Sequence, residues 1–365
     1  MRVRFSDVLN IINGKNQKQV ENPNGKYPIY GSGGIMGYAD SYICEPNTVI
    51  IGRKGSINKP IYVEVPFWNV DTAFGLYADK SKLIPKYLYY FCEKFDFEKL
   101  STTVTIPSLT KANLLDIEMQ LPPLDEQYRI VGVLDKVCGL IVKRQSQLNM
   151  LDELVKSRFI EMFGDPEYNT KNLPVFKLSK LCNVGSSKRI YQSEQSAAGI
   201  PFLRISDLND RIDKGIETSE LFIPFEKYTE LHEQGLVPEF GDILVTSRGT
   251  LGKCYIVKKT DNFYFQDGMI SWLSEMDENV TSLYIAHLFA MPDIQKQIAN
   301  LQVGSTVAYL SIAMLKKLDI MLPPLETQHQ YSVFVQQTDK LELAVQKSLE
   351  KLEILKKSLM QQYFG

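Results

Sequence analysis

Metal-binding and disulfide-forming residues are scarce in this 365-residue chain, which has three histidines and five cysteines. Cys44, Cys92, Cys138, Cys182 and Cys254 form no CxxC pair, and His232, His287 and His329 have no partner at ligand spacing. That excludes an ordinary zinc site and a disulfide framework, and the histidines are read as ordinary. No GxxxxGK[ST] loop cradles a phosphate. No Asp or Glu is followed two positions later by Lys, so the usual carboxylate–lysine core of metal-dependent nucleases is missing. Both Pro-Pro pairs are flanked by leucines, not by the Asn/Asp and aromatic residue that an amino-methyltransferase needs. The net charge of −2 gives no global nucleic-acid signal, so any DNA contact rests on local basic loops or on basic partners. No run approaches membrane-span length, and Met1-Arg2-Val3-Arg4-Phe5-Ser6-Asp7 has no apolar signal core, so the expected location is the cytoplasm, without a membrane partner.

What is present is a duplication. Leu121-Pro122-Pro123-Leu124 recurs as Leu322-Pro323-Pro324-Leu325. The same offset aligns Thr105-Ile106-Pro107-Ser108-Leu109-Thr110 with Thr306-Val307-Ala308-Tyr309-Leu310-Ser311. It also aligns Gln127 with Gln328 and Phe163-Gly164 with Phe364-Gly365. Further upstream the offset drifts, as it does when loops differ in length over a shared scaffold. There Lys54-Gly55-Ser56-Ile57-Asn58-Lys59 matches Arg248-Gly249-Thr250-Leu251-Gly252-Lys253, and Tyr27-Pro28-Ile29-Tyr30 matches Ile200-Pro201-Phe202-Leu203. Both basic loops follow apolar strand-like runs, and turn residues punctuate Val-, Ile-, Tyr- and Phe-rich segments. Before each Pro-Pro a strand alternates, with Ile117, Met119 and Leu121 against Leu318, Ile320 and Leu322.

After each Pro-Pro the period changes. Ile130, Leu134, Val137, Ile141, Arg144, Leu148, Leu151, Val155, Arg158 and Met162 recur at steps of four and three, the coiled-coil period. Asp125 and Glu126 suit a helix start, and Gly164-Asp165-Pro166 supplies a stop. The second helix carries Leu341, Val345, Leu349, Leu352, Leu355 and Leu359. Arg144 and Arg158 interrupt the first seam, and their stems are read as snorkelling at its edge, with register-setting as the alternative. Each helix is roughly 57 Å long at ~1.5 Å per residue. Parallel packing would require the chain to travel back that length after Gly164 with no spare linker, whereas antiparallel packing requires no return. The expected fold class is therefore α/β (α+β): two repeated strand-rich globules separated by two long helices in an antiparallel coiled coil, pseudo-two-fold symmetric. The expected domains are 1–124, a helix over 125–164, a second globule over 165–325 and a helix over 326–365. Such an object suits two unlike half-sites on duplex DNA with an unread spacer.

Two variable globules, each ending in a Leu-Pro-Pro-Leu-x-Glu-Gln-like turn into a long helix, resemble the specificity subunits of type I restriction–modification enzymes. The turns here are Leu121-Pro122-Pro123-Leu124-Asp125-Glu126-Gln127 and Leu322-Pro323-Pro324-Leu325-Glu326-Thr327-Gln328. The second departs from the pattern at Thr327. The resemblance implies target-recognition globules and helices that dock two methyltransferase subunits. Translocating nuclease subunits join in a restriction complex. It further implies that S-adenosylmethionine, ATP and Mg belong to those partners, with no cofactor and no catalysis in this chain.

Candidate DNA contacts are residues that donate to phosphates or base edges. In the first globule these are Arg53, Lys54, Ser56 and Lys59. In the second they are Lys188, Arg189, Arg204, Ser206, Asn209, Arg248, Thr250 and Lys253. The alternative for the two basic loops is a surface turn whose glycine supplies positive φ, shared as scaffold. Tyr30-Gly31-Ser32-Gly33-Gly34 is followed by strand-like chain and so reads as a glycine-rich turn, not a nucleotide loop. Two competing functions are an adaptor with a coiled-coil scaffold and globules for ligands other than DNA, and a self-contained methyltransferase–nuclease with divergent motifs.

Overall fold

The computed structural model describes residues 1–100, 108–302 and 308–365. Thr105, Ile106 and Pro107, and Thr306 and Val307, which belong to the repeat, lie outside the described residues. The chain divides into two compact units, Met1–Leu148 with Ala344–Gly365, and Asn149–Leu343.

The first unit begins with β1 (Arg2–Arg4), α1 (Phe5–Val8) and β2 (Leu9–Asn13). Strands β3 (Tyr27–Gly31), β4 (Gly34–Ala39), β5 (Thr48–Gly52), β6 (Ile61–Val63), β7 (Trp68–Asn69) and β8 (Ala73–Ala78) follow. Then come α2 (Pro85–Lys94), α3 (Lys111–Leu115), β9 (Glu118–Gln120) and the long α4 (Leu124–Phe163). The second unit's elements begin with β10 (Val175–Lys177), β11 (Asn183–Gly185), β12 (Ile200–Leu203), α5 (Ile205–Lys214), β13 (Phe222–Ile223) and α6 (Phe225–Glu233). They continue with β14 (Ile243–Thr246), β15 (Cys254–Ile256), β16 (Tyr264–Phe265), β17 (Ile270–Ser274), α7 (Ser282–Phe289) and α8 (Pro292–Leu301). The last are α9 (Ile312–Leu315), β18 (Asp319–Met321) and α10 (Leu325–Phe364).

The duplication seen in the sequence is a duplication of topology. A four-stranded antiparallel sheet of order β2-β8-β5-β6 is matched by β11-β17-β14-β15, and a three-stranded sheet β4-β3-β7 by β13-β12-β16. In each three-stranded sheet one pairing is parallel, β3 with β7 and β12 with β16. The alternating strands before the Pro-Pro pairs close antiparallel ladders, β1 with β9 and β10 with β18. Ile117 and Met119 are buried while Glu118 and Gln120 face solvent, as a period of two requires; in the second strand Leu318 and Ile320 are buried and Asp319 faces solvent, but Met321 is buried as well.

Each unit contains the start of one long helix and the end of the other, and within each the two segments pack antiparallel. In the first unit Ile130 and Leu134 of α4 share a core with Leu359, Met360, Tyr363 and Phe364 of α10. In the second, Phe159 and Phe163 of α4 share a core with Tyr331 and Val335 of α10. The terminal phenylalanines do equivalent work: the Phe364 ring lies 5.0 Å from Tyr87 of α2, and Phe163 lies 4.9 Å from Tyr284 of α7.

The seam of α10 differs from the expected one. Leu341 and Leu355 are exposed, whereas Thr338, Leu349 and Met360 are buried. Polar residues can stand inside because their groups are satisfied locally: Thr338 donates to Phe334 O at 3.1 Å, and Lys356 pairs with Glu93 at 2.6 Å. Arg144 reaches the facing helix, its Nε donating to Ser348 Oγ at 3.1 Å. Arg158 stays on its own helix with Glu161 at 2.8 Å while its guanidinium lies over Phe334. Among the described residues, no helix is long and apolar enough to cross a membrane.

Candidate nucleic-acid interface

The two basic loops occupy one structural position. In the first unit Arg53 N donates to Thr72 O (2.8 Å), Leu109 N donates to Arg53 O (3.0 Å), and Lys54 bridges Ser108. In the second, Ser247 N donates to Met269 O (2.9 Å), Leu310 N donates to Ser247 O (3.0 Å), and Arg248 bridges Tyr309. Gly55 and Gly249 then adopt the same left-handed φ of 72°, which a side chain would strain. The glycine-turn reading and the shared-scaffold reading thus both describe the backbone, and the cations are what this backbone displays. Arg53, Lys54, Ser56, Lys59, Arg248 and Thr250 are exposed.

The electrostatics of the two loops differ. Among the described residues Arg53, Lys54 and Lys59 have no ion-pair partner, and Arg53 lies over the Phe74 ring. In the second unit Lys253 Nζ binds both carboxylate oxygens of Asp213 at 2.6 Å, on the last turn of α5. Arg189 Nε binds Asp267 at 2.8 Å, and Arg204 binds Asp207 at 3.4 Å and Glu220 at 3.1 Å. Hydrogen bonding to these carboxylates raises the pKa of Arg189, through Asp267, and of Arg204, through Asp207 and then Glu220. Arg248 is exposed beside the Tyr309 ring, and Lys188 is exposed.

The second unit brings most of its candidates to one rim. Leu203 pairs with Phe265 across the parallel β12–β16 ladder, so Arg204 leaves one strand end as Asp267 leaves the other. Ser187 Oγ donates to Phe265 O at 2.7 Å and Lys188 N donates to Tyr264 Oη at 2.8 Å, which seats Lys188 and Arg189 there. Thr246 pairs with Ile270, the residue after Met269, adding the Arg248 loop. Ser206 and Asn209 lie on the first turns of α5.

The first unit has an equivalent rim that sequence reasoning only partly found. Trp68 Nε1 donates to Lys15 O at 2.9 Å, as Tyr264 Oη donates to Lys188 O at 3.2 Å. Lys15 is therefore the counterpart of Lys188, and it is exposed. The short Asn13-Gly14-Lys15-Asn16 stretch held the only signal, too weak to align alone.

Also missed was the role of the glutamine in each Leu-Pro-Pro-Leu turn. Gln127 is fully buried; its Oε1 accepts from Ile84 N (2.9 Å) and its Nε2 donates to Lys82 O and Pro122 O (both 2.9 Å). Gln328 repeats this with Thr281 N, Asn279 O and Pro323 O. Each amide ties the long helix to the start of the small helix beside it. The neighbouring Glu126 only pairs with Arg129 on the surface, so Thr327 in its place costs the turn nothing.

The family described as the type I restriction modification DNA specificity domain matches residues 1–150 and 170–354. The chain belongs to that family. A putative type I restriction enzyme specificity subunit of Haemophilus influenzae is 27% identical over 98% of this chain and 94% of the relative. The MjaVIII specificity subunit of Methanocaldococcus jannaschii is 25% identical over 98% of this chain and 90% of its own length. Among solved structures, the S subunit of a type I restriction–modification system from M. genitalium aligns with a TM-score of 0.64 at 18% identity, covering 100% of this chain and 96% of that one. As a specificity subunit, the chain carries a DNA target-recognition fold in two copies, with its long helices packing together.

Proposed function

We propose that this specificity subunit is a non-catalytic reader of a bipartite, asymmetric DNA target, each unit contacting one half-site. The observation that carries this is the repeated rim: one scaffold, used twice, displays a basic loop and adjoining strand ends, yet different side chains fill it each time. A shared sheet and loop scaffold with different donors is what two unlike half-sites demand, because phosphate contacts position and base contacts specify. Residues 1–124 and 165–325 act as the recognition globules, and the helices over 125–164 and 326–365 act as spacer and docking platform. Exposed Val142, Met150, Leu343 and Ile354 on α4 and α10 offer apolar surface for two methyltransferase subunits, and translocating nuclease subunits complete a restriction complex. S-adenosylmethionine, ATP and Mg then act in those partners, in the cytoplasm.

Mapping adenine methylation in a host with and without this gene, its methyltransferase partner retained, tests the proposal. A bipartite motif should be methylated only when the gene is present. Methyl transfer by the isolated chain, or a motif unchanged by its loss, would overturn it.

A further inference from the structure

The two units differ at the connection that joins the paired strands of the three-stranded sheet. In the first, β3 returns directly into β4 through a two-residue turn, Ser32-Gly33, with Gly31 paired to Gly34. In the second, the equivalent strands β12 and β13 are joined by residues 204–221, which include α5. The equivalence is fixed by hydrogen bonds: Val70 N donates to Tyr30 O at 3.0 Å as Gln266 N donates to Leu203 O at 2.9 Å. The repeated sheets therefore carry a β-ribbon at this connection in one copy and a helix in the other. Those are the two elements whose width fits the DNA major groove.

The ribbon adjoins the basic loop. A Cβ added at Gly52, the residue before Arg53, would lie 3.0 Å from the Cβ of Ser32. The ribbon tip and the cations Arg53 and Lys54, which have no ion-pair partner among the described residues, thus share one surface. The ribbon's outer strand is unusual for an exposed edge: Gly34-Ile35-Met36-Gly37-Tyr38-Ala39 has no charge, with Ile35 56% and Met36 62% exposed. The far end of this edge is covered, Ala39 bridging Glu21 and Asn22 N donating to Tyr38 O at 2.8 Å, so the bare part is the Gly34–Met36 end near the tip. Proteins blunt open edges with charge or proline, and an apolar edge left bare calls for a partner. Flanking cations without acidic partners make that partner polyanionic.

Resting on the function proposed above, we infer that the first unit reads its half-site by laying the β3–β4 ribbon in the major groove, with Ile35 and Met36 against thymine methyl groups. Ser32 supplies a hydroxyl at the tip, and the glycines around it let the backbone approach base edges. Arg53, Lys54 and Lys59 hold the flanking phosphates. The second unit presents Ser206 of α5 instead, with the half-buried Asn209 one turn further along, so the two half-sites are read by different secondary structure.

Methylation mapping with the full chain and its methyltransferase partner tests this with two variants. Ile35→Ser with Met36→Ser should relax discrimination at one or two base pairs of one half-site, roughly 5- to 150-fold per base pair, and leave the other intact. Ser206→Ala with Asn209→Ala should relax the opposite half-site. A second measurement needs no variant. Replacing thymine by deoxyuracil, which removes only the methyl group, in the first half-site of a duplex should weaken binding of the wild-type complex. The double variant should bind both duplexes equally. Unchanged stringency in the first half-site together with indifference to deoxyuracil would overturn the ribbon assignment while leaving the bipartite reading standing. Absence of any methylation directed by the wild-type chain would overturn both.

Discussion

The two units share their sheet topology and key anchoring contacts and yet differ in how they present charge. Gln127 and Gln328 make the same three hydrogen bonds, Gly55 and Gly249 the same turn, and Tyr87 and Tyr284 receive the same helix-terminal phenylalanine. At the rim, however, Arg53, Lys54 and Lys59 have no carboxylate partner among the described residues, whereas Arg189, Arg204 and Lys253 are paired in the second unit. The inserted α5 supplies two of these carboxylates, Asp207 for Arg204 and Asp213 for Lys253, while Asp267 after β16 holds Arg189. Packing and hydrogen-bond satisfaction allow few solutions, so both copies keep them. Charge placement on the surface costs little to change, so the copies diverge there.

The insertion also has its own anchor, and cutting it should give the largest asymmetric effect. Arg211 of α5 and Asp261 form an almost wholly buried pair at 2.9 Å, and the guanidinium lies over both the Tyr255 and Phe263 rings. Arg211→Met leaves Asp261 buried without its counter-charge, which costs about 3–5 kcal/mol. Calorimetry should then show the second unit melting early while the first is unmoved. Simultaneous loss of both units would mean that they do not fold as separate units.

Next in size is a symmetric effect. Gln127→Ala and Gln328→Ala each strand one buried N–H and two carbonyls, at about 2–3 kcal/mol apiece. Each should destabilise its own unit by a similar amount. A large effect at one position and none at the other would break the equivalence drawn between the two turns.

The parts of this molecule that were legible in sequence are those governed by periodicity. Ile130, Leu134 and Val137 announced a long helix, and Ile117, Met119 and Leu121 a half-buried strand, because burial repeats at fixed steps. The constant offset between halves exposed the duplication, and the Lys54 and Arg248 loops were matched correctly because their glycines sit at the same φ. The α10 seam was misread at Leu341 and Leu355 because Thr338 and Lys356 take inward positions, their polar groups satisfied by Phe334 O and Glu93. The pairing of Lys253 with Asp213, and the place of Lys15 beside Trp68, depend on contacts distant in sequence that no local pattern encodes.

A smaller difference between the units should appear in acid. His287 of α7 is hydrogen-bonded to Tyr331 of α10 at 2.7 Å, and burial lowers its pKa to about 4. The corresponding place in α2 is taken by Tyr90, which donates to Asp135 at 2.7 Å. An imidazole held neutral when folded and free to protonate when unfolded gives stability that is complete above about pH 6.5 and is lost as pH falls toward 4. Partial exposure limits the loss to about 2 kcal/mol. Asp339 and Glu342, raised by burial nearby, take up protons in the fold and oppose it. The measurement is therefore the difference in pH slope of second-unit melting between wild type and His287→Phe. Equal slopes would remove this histidine from the acid response.

The finest contrast concerns salt, and it follows from the carboxylates that distinguish the two rims. A cation that neutralises a phosphate releases a counterion, and each such contact contributes about 0.9 to the slope of log binding against log salt. Arg53 and Lys54 have, among the described residues, no carboxylate partner to leave, so Arg53→Gln with Lys54→Gln should lower that slope by nearly two. Lys253 must first leave Asp213, and that exchange of one anion for another releases less. Arg248→Gln with Lys253→Gln should therefore lower the slope by only about one. Asp213→Asn then becomes the decisive variant, because it frees Lys253 without touching any base-reading residue. Binding should tighten at low salt, the slope should steepen, and preference among target sequences should stay as it was. Filter binding of the assembled methyltransferase to a specific and a non-specific duplex, over a series of salt concentrations, reads all three quantities. A slope insensitive to Asp213 would show that Lys253 does not face phosphate and that its pairing serves only to pin α5.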